Sequence, residues 1–244
     1  LPAAKDWAYL NNFDDPQRPY ALSLPAGQAK QLRQDIEDVI DALKEELPQA
    51  FDDEYYRGRL RSLDEATRKH RVRLFGVLQK EADRKGIVLL RLQDGNYAFA
   101  AQHNGEAMTS EEFEQLPAAQ QEEAENAIAD LHEDLQHTLL EIREWERNNT
   151  KQLQALNDEV ALEVLSKHVN KLKHAYPSSS KLQHYFDAML KDLRSNVDAF
   201  LKDEQSAEEA TSDINIHKRY QINLVVDNSQ KHGAPIVYEN LPNH

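Results

Sequence analysis

The chain has 244 residues, 43 acidic against 29 basic side chains, a formal net charge of −14 and a mean hydropathy of −0.78. That balance repels phosphate backbones and anionic lipid, so nucleic acid and membrane surfaces are not expected as partners. The absence of cysteine rules out disulfides, thiolate zinc sites and a thiol nucleophile, and fits a cytoplasmic, soluble protein.

Seven glycines and nine prolines are few for this length, while good helix formers are plentiful. The expected class is mainly α, with an elongated outline and little deep interior. No run of about eighteen apolar residues is present to span a bilayer. Neither end shows the punctuation of a natural terminus, and both read as cuts through a longer chain.

In chain order, Asp6 to Leu24 mixes short apolar groups with turn formers, which suits a strand, a turn and a second extended piece. From Ala26 to Leu47, Leu32, Ile36, Val39, Ile40, Leu43 and Leu47 recur at threes and fours and predict one helix, broken or kinked at Pro48. A second helix is predicted from about Asp52 to Lys85. Its stripe of Tyr56, Leu60, Leu63, Thr67, His70, Leu74 and Val77 has heptad spacing, and Gly86 can stop it.

Ile87 to Leu92 and Tyr97 to Ala100, joined at Asp94-Gly95, read as a β-hairpin. His103-Asn104-Gly105 marks another turn, and Thr109 with Glu112 matches a capping box. The longest helix starts after Pro117 and meets no glycine or proline before Pro177, reaching about 90 Å at 1.5 Å per residue. Ile128, Leu131, Leu135, Leu139, Ile142 and Trp145 form a narrow stripe in its first half. A wider apolar arc from Leu153 to Tyr176 calls for several partners. A last helix is predicted over Lys181 to Leu201, then a polar linker, then a strand from Arg219 to Asp227.

Together these elements predict a long antiparallel helical hairpin or coiled coil, a small β-hairpin at its tip, a helical bundle at its base and short α/β-type strands at both termini. If facing positions sum to roughly 202, as an antiparallel seam closing over the predicted β-hairpin would give, Leu74 faces Ile128 and Leu63 faces Leu139.

Little in the sequence points to chemistry. None of the glycines has the setting of a phosphate-cradling loop. His132 and His137 are five apart and splay by about 140° around a helix, so they cannot share one metal. His70 could approach His132 as a pH-sensitive pair, or sit half-buried beside a hydrogen-bond partner. Trp145 and Tyr56 read as seam residues before they read as an aromatic box. The acidic clusters Asp14-Asp15, Asp52-Asp53-Glu54 and Glu111-Glu112 read as turn and helix-start chemistry. No catalytic, cofactor-binding or metal residue is therefore expected. Val88, Leu90, Tyr97 and Phe99 place apolar groups on a ribbon with little core around it, which either packs on the ends of the two arms, the favoured reading, or makes a protein contact, the one candidate site.

Asp6-Trp7-Ala8-Tyr9-Leu10-Asn11-Asn12-Phe13-Asp14-Asp15-Pro16-Gln17-Arg18-Pro19, then Leu22 to Gly27, resembles a segment of bacterial Lon-like ATP-dependent proteases whose AAA+ module carries a long helical insert. Ile222 to Ser229, then Gly233 to Asn240, resembles the strand and loop by which that family's chain re-enters the module. The resemblance implies residues 1–25 as an edge of the AAA+ module and 26–202 as the insert. Within the insert it implies arms 26–85 and 117–176, hairpin 87–101 and base helix 181–201. A linker over 203–218 and a returning strand and loop over 219–244 complete it.

The resemblance also implies a parent that is an ATP-dependent serine endopeptidase using ATP and magnesium. Protein substrates and neighbouring subunits of a ring would be its partners, and its catalytic motifs would lie outside this chain. The rival expectation is a free-standing coiled-coil adaptor that dimerises.

Overall fold

The computed structural model describes residues 4–201 and 216–230. Its elements in order are β1 (Lys5–Leu10), β2 (Tyr20–Pro25), α1 (Gln28–Asp52), α2 (Glu54–Arg84), β3 (Ile87–Arg91), β4 (Tyr97–His103), β5 (Glu106–Ala107), α3 (Ser110–Glu114), α4 (Ala118–Ala175), α5 (Ser180–Ser195), α6 (Asp198–Leu201), α7 (Ile216–Tyr220) and β6 (Asn223–Val226). The chain is mainly helical with small antiparallel sheets. It divides into two compact units, one formed by the chain up to Tyr56 and from Leu156 onward, the other by Arg57–Ala155.

In the first unit β1 lies between β2 and β6, antiparallel to both. Period-two alternation turns Ala8, Leu10, Leu22 and Leu24 into the core. The α1 stripe from Leu32 to Leu47 is buried as its spacing predicts, each large apolar side chain contributing roughly 1.5–3 kcal/mol. Of the break or kink expected at Pro48, the break does not occur, and α1 runs on to Asp52. A proline inside a helix costs about 3 kcal/mol, but Leu47, fully buried, and Phe51, partly buried against the same core, hold the last turn in place.

Ala161, Leu165, Val169 and Leu172 of α4 and Leu182, Tyr185, Phe186, Met189 and Leu193 of α5 complete this core. The Tyr176 hydroxyl donates to Asp35 at 2.6 Å and Lys167 donates to Glu46 at 2.8 Å, so α1 and this half of α4 run antiparallel. The helix expected through Leu201 ends instead at Ser195. Asn196 leaves the helical region at φ −119 and its side-chain amide donates to the Asp192 carbonyl, after which α6 buries Phe200. Arg219 and Tyr220, expected in a strand, close α7, and the strand begins only at Asn223. Residues 203–215 of the expected linker and 231–244 of the returning segment lie outside the described residues.

In the second unit β3 pairs with β4, with Leu89 opposite Phe99, and β4 pairs with the two-residue β5, a strand not expected from the sequence. Asn104 and Gly105, at φ 52 and 89, form the turn between β4 and β5, and two consecutive positive-φ residues match the tight hairpin type. The capping box is present: Thr109 Oγ1 accepts from the Glu112 amide and Glu112 Oε2 accepts from the Thr109 amide at 2.8 Å.

Within this unit α2 and α4 face each other antiparallel. Arg71 meets Glu146, Lys85 donates to Asp130 at 3.0 Å, Asn149 donates to Thr67 at 2.8 Å, and His70 stacks on Trp145 at 4.1 Å. Facing residue numbers thus add to 215–217, not 202. The slip is about two heptads, so the same stripes face inward in either register. Its cause is the small core of Leu78, Ala82, Ile87, Ala101, Leu131 and Leu135, against which Ala124, Ala127, Ile128, Phe113 and Met108 also pack. The first turns of α4 serve as a floor for the ribbon and α3, and only later turns meet α2. The α2 stripe also departs from strict heptads at its end: Val77 is exposed and Leu78 is buried in its place. A straight helix drifts against a 3.5-residue repeat, and the step from Leu74 to Leu78 to Ala82 follows that drift.

Candidate contact surfaces

The four residues expected either to pack or to make a protein contact fall on two faces of the ribbon. Pairing places Leu89 with Phe99 and Arg91 with Tyr97 on one side, and Val88 with Ala100 and Leu90 with Ala98 on the other. Tyr97 stacks on Phe75 at 4.7 Å and Phe99 meets the His132 ring edge-on at 5.2 Å, so both are packing residues. Val88 and Leu90 are half-buried and do not belong to the adjoining core.

Of the two readings of His70, the pair with His132 is not the one seen: each ring makes its own aromatic contact, His70 with Trp145 and His132 with Phe99. His70 Nε2 is buried 3.7 Å from Glu141, too far for a hydrogen bond. Tyr56 packs on Phe51 and donates to Asn157 at 2.8 Å, while Trp145 covers His70. Asn12 Oδ1 accepts from the amides of Asp14 and Asp15, and Asp53 accepts from the Tyr55 amide, which is turn and helix-start chemistry. Among the described residues no three His, Asp or Glu side chains converge as metal ligands, and no helix is long and apolar enough to cross a membrane.

The first unit presents a surface that periodicity alone did not single out. One face of the sheet β2-β1-β6 is buried. The other exposes Trp7 and Tyr9, with Val226 beside Trp7 and Val225 at the irregular step between Trp7 and Ala8. Tyr20, paired with Leu10 at the sheet's end, is also exposed. A groove of about 550 Å³ is lined by Tyr9, Asn11, Pro16, Pro19, Arg219 and Gln221, among others.

Two carboxylates hold this sheet together. Gly27 stands before α1 in the left-handed region at φ 84 and offers no side-chain cap, so fully buried Asp6 takes that role from the strand. Its Oδ2 accepts from the Ala29 amide at 3.2 Å and its Oδ1 from the Asn228 amide at 2.8 Å, while the Asn228 side chain donates to the Lys5 carbonyl. The negative charge also opposes the helix dipole. Asp192 on α5 accepts from Arg219 Nε and Nη2 at 2.7 and 2.5 Å and from the Tyr220 hydroxyl at 2.7 Å.

The fork of two parallel bonds to Asp192 raises the Arg219 guanidinium above its ordinary range. Burial, then Asp192, pushes the Tyr220 phenol up. Phe13 lies 5.5 Å from both Tyr185 and Tyr220, with the Arg219 guanidinium 6.0 Å from its ring. A single aspartate carries no pattern in a sequence, so neither anchor was legible there.

A third feature was legible and was missed. From Arg57 to Lys85 ten basic residues stand against four acidic ones, whereas from Leu92 to Ile142 there are twelve acidic residues and no lysine or arginine. The second unit is therefore strongly polarised in charge.

Residues 6–39 match the family model of the Lon-like LonC helical domain. The match covers β1, β2 and the first half of α1, and supports membership of the Lon-like family. A search of curated proteins found no match.

Proposed function

We propose that this chain is the non-catalytic helical insert of a Lon-like ATP-dependent serine endopeptidase, with short edges of the AAA+ module at either end. The observation that carries the reading is the match over residues 6–39, which lies on the part of the first unit whose sheet leaves Trp7 and Tyr9 exposed. An aromatic sheet face left open beside Val225 and Val226 suits packing against a further protein layer. In this reading the layer is the remainder of the AAA+ module. ATP and magnesium would bind there, outside this chain, and so would the serine-lysine chemistry. The second unit would engage, gate or help assemble during degradation of protein substrates.

The test uses the full-length gene product. It should degrade casein only with ATP. Replacing residues 57–155 by a short flexible linker should lower degradation of a folded substrate more than ATP hydrolysis. A full-length protein without ATP-dependent proteolysis would overturn the assignment. Unchanged degradation after the replacement would overturn the role given to the second unit. The 244-residue chain by itself is expected to turn over neither ATP nor casein.

A further inference from the structure

The second unit uses few of its opposite charges internally. Arg71 with Glu146 and Lys85 with Asp130 join its two helices. The outer face of α2 still presents Arg68, Lys69, Val72, Arg73, Gly76 and Lys80 to solvent, with Val72 67 % exposed and Lys69 bonded only to Glu65 of its own helix. On α4, Glu122, Glu123, Glu125, Glu133 and Asp134 are exposed and make no ion pair among the described residues. Arg68–Lys80 and Glu122–Asp134 each span thirteen positions, about 18 Å of helix.

Gly76 adds a separate observation. A glycine inside an exposed helix is unfavourable against alanine, and nothing in this fold requires it. Its backbone is ordinary helix, and a Cβ added there would meet no atom within 4 Å. A bare patch of backbone on an outer helix face lets a second helix come close.

We propose that the basic outer face of α2 docks on the acidic first half of α4 of a second copy of this chain. One chain carries both complementary faces, each of the same length. The contact joins unlike surfaces, so two copies either satisfy both reciprocally about a two-fold axis or continue it from copy to copy as a ring or filament. Exposed charge pairs are individually weak and screened by salt. The contact is therefore weak and salt-sensitive, and Val72 packing beside Gly76 adds its apolar part. It rests on charge and surface alone, independently of the protease assignment.

Sedimentation velocity on the full 244-residue chain tests it. Self-association should weaken at least about tenfold between roughly 50 mM and 500 mM salt. Arg68→Glu/Arg73→Glu/Lys80→Glu and Glu122→Lys/Glu125→Lys/Glu133→Lys should each lose association while keeping wild-type helicity. Mixing the two should restore it, because the second variant's basic α2 still meets the first variant's acidic α4. Both variants remain net acidic, so simple attraction between oppositely charged proteins does not produce that rescue. Gly76→Gln, which the isolated fold accommodates, should weaken association with no loss of melting temperature. A chain that stays monomeric in low salt would overturn the proposal. So would charge reversals or Gly76→Gln that leave association intact, or a mixture that fails to rescue it.

Discussion

The two units differ most in how much they bury. The first gathers twenty-three buried side chains, from both sheet and helices, into one core, whereas the second has six around a ribbon and the start of α4. Both contain comparably regular helices, so helicity is a poor guide to where this chain is firm. Ion pairs join elements in both units, Lys167–Glu46 and Arg219–Asp192 in the first and Arg71–Glu146 and Lys85–Asp130 in the second, so the thickness of the core is what separates them. The second unit is thus expected to open locally at lower cost.

The strongest test of that contrast is Phe186→Ala. This side chain is fully buried in the larger core, and its loss should destabilise by about 3–5 kcal/mol and speed amide exchange throughout the first unit. Leu131→Ala, equally buried in the thin core, should cost about 2–4 kcal/mol, with faster exchange confined to residues 57–155. Exchange spreading evenly through the chain for both variants would erase the distinction.

Asp6→Ala should cost about 2–3 kcal/mol in denaturant titrations, because it leaves the buried Ala29 and Asn228 amides without their acceptor. Gly76→Ala should act in the opposite sense, stabilising by up to about 1 kcal/mol in thermal melts, since its backbone is helical and its surroundings are empty. The same change at Gly95, held at φ 84 in the β3–β4 turn, should destabilise.

The smallest effect concerns acid. Lys167 at 2.8 Å, and then His168 at 3.0 Å in poorer hydrogen-bond geometry, hold the Glu46 carboxyl down at about 2, against 4.5 for an ordinary glutamate. A depressed carboxylate stabilises the folded state fully above its unfolded value. That contribution fades as pH falls from about 4.5 toward 2, because the unfolded chain takes up the proton first. Glu46→Gln should flatten stability against pH in that window, and an unchanged acid limb would contradict this reading.

Much of the secondary structure could be read from spacing. The α1 stripe, the Asp94-Gly95 turn, the Thr109–Glu112 box and the unbroken α4 each rest on local chemistry that a short window contains. Pro48 does not end α1, because its local penalty is outweighed by the burial of Leu47 and by Phe51. The anchors at Asp6 and Asp192 were invisible because each acts across a separation of more than twenty residues. At the ribbon, apolar content was evident, but the partition of Val88 and Leu90 from Tyr97 and Phe99 depended on pairing register. The charge contrast between α2 and the chain from Leu92 to Ile142 needed no structure, only a count over segments.

By itself the sequence determined the inward stripes of the long helices, the Asp94-Gly95 turn and the strands that flank it, and that opposite charges segregate between the two arms of the second unit. Tertiary structure alone decided how far α4 slides along α2. A heptad seam looks the same after a shift of two repeats, so periodicity cannot choose among registers. That choice rests on the volume of the ribbon and α3, which need the first turns of α4 beneath them and move the facing positions to 215–217.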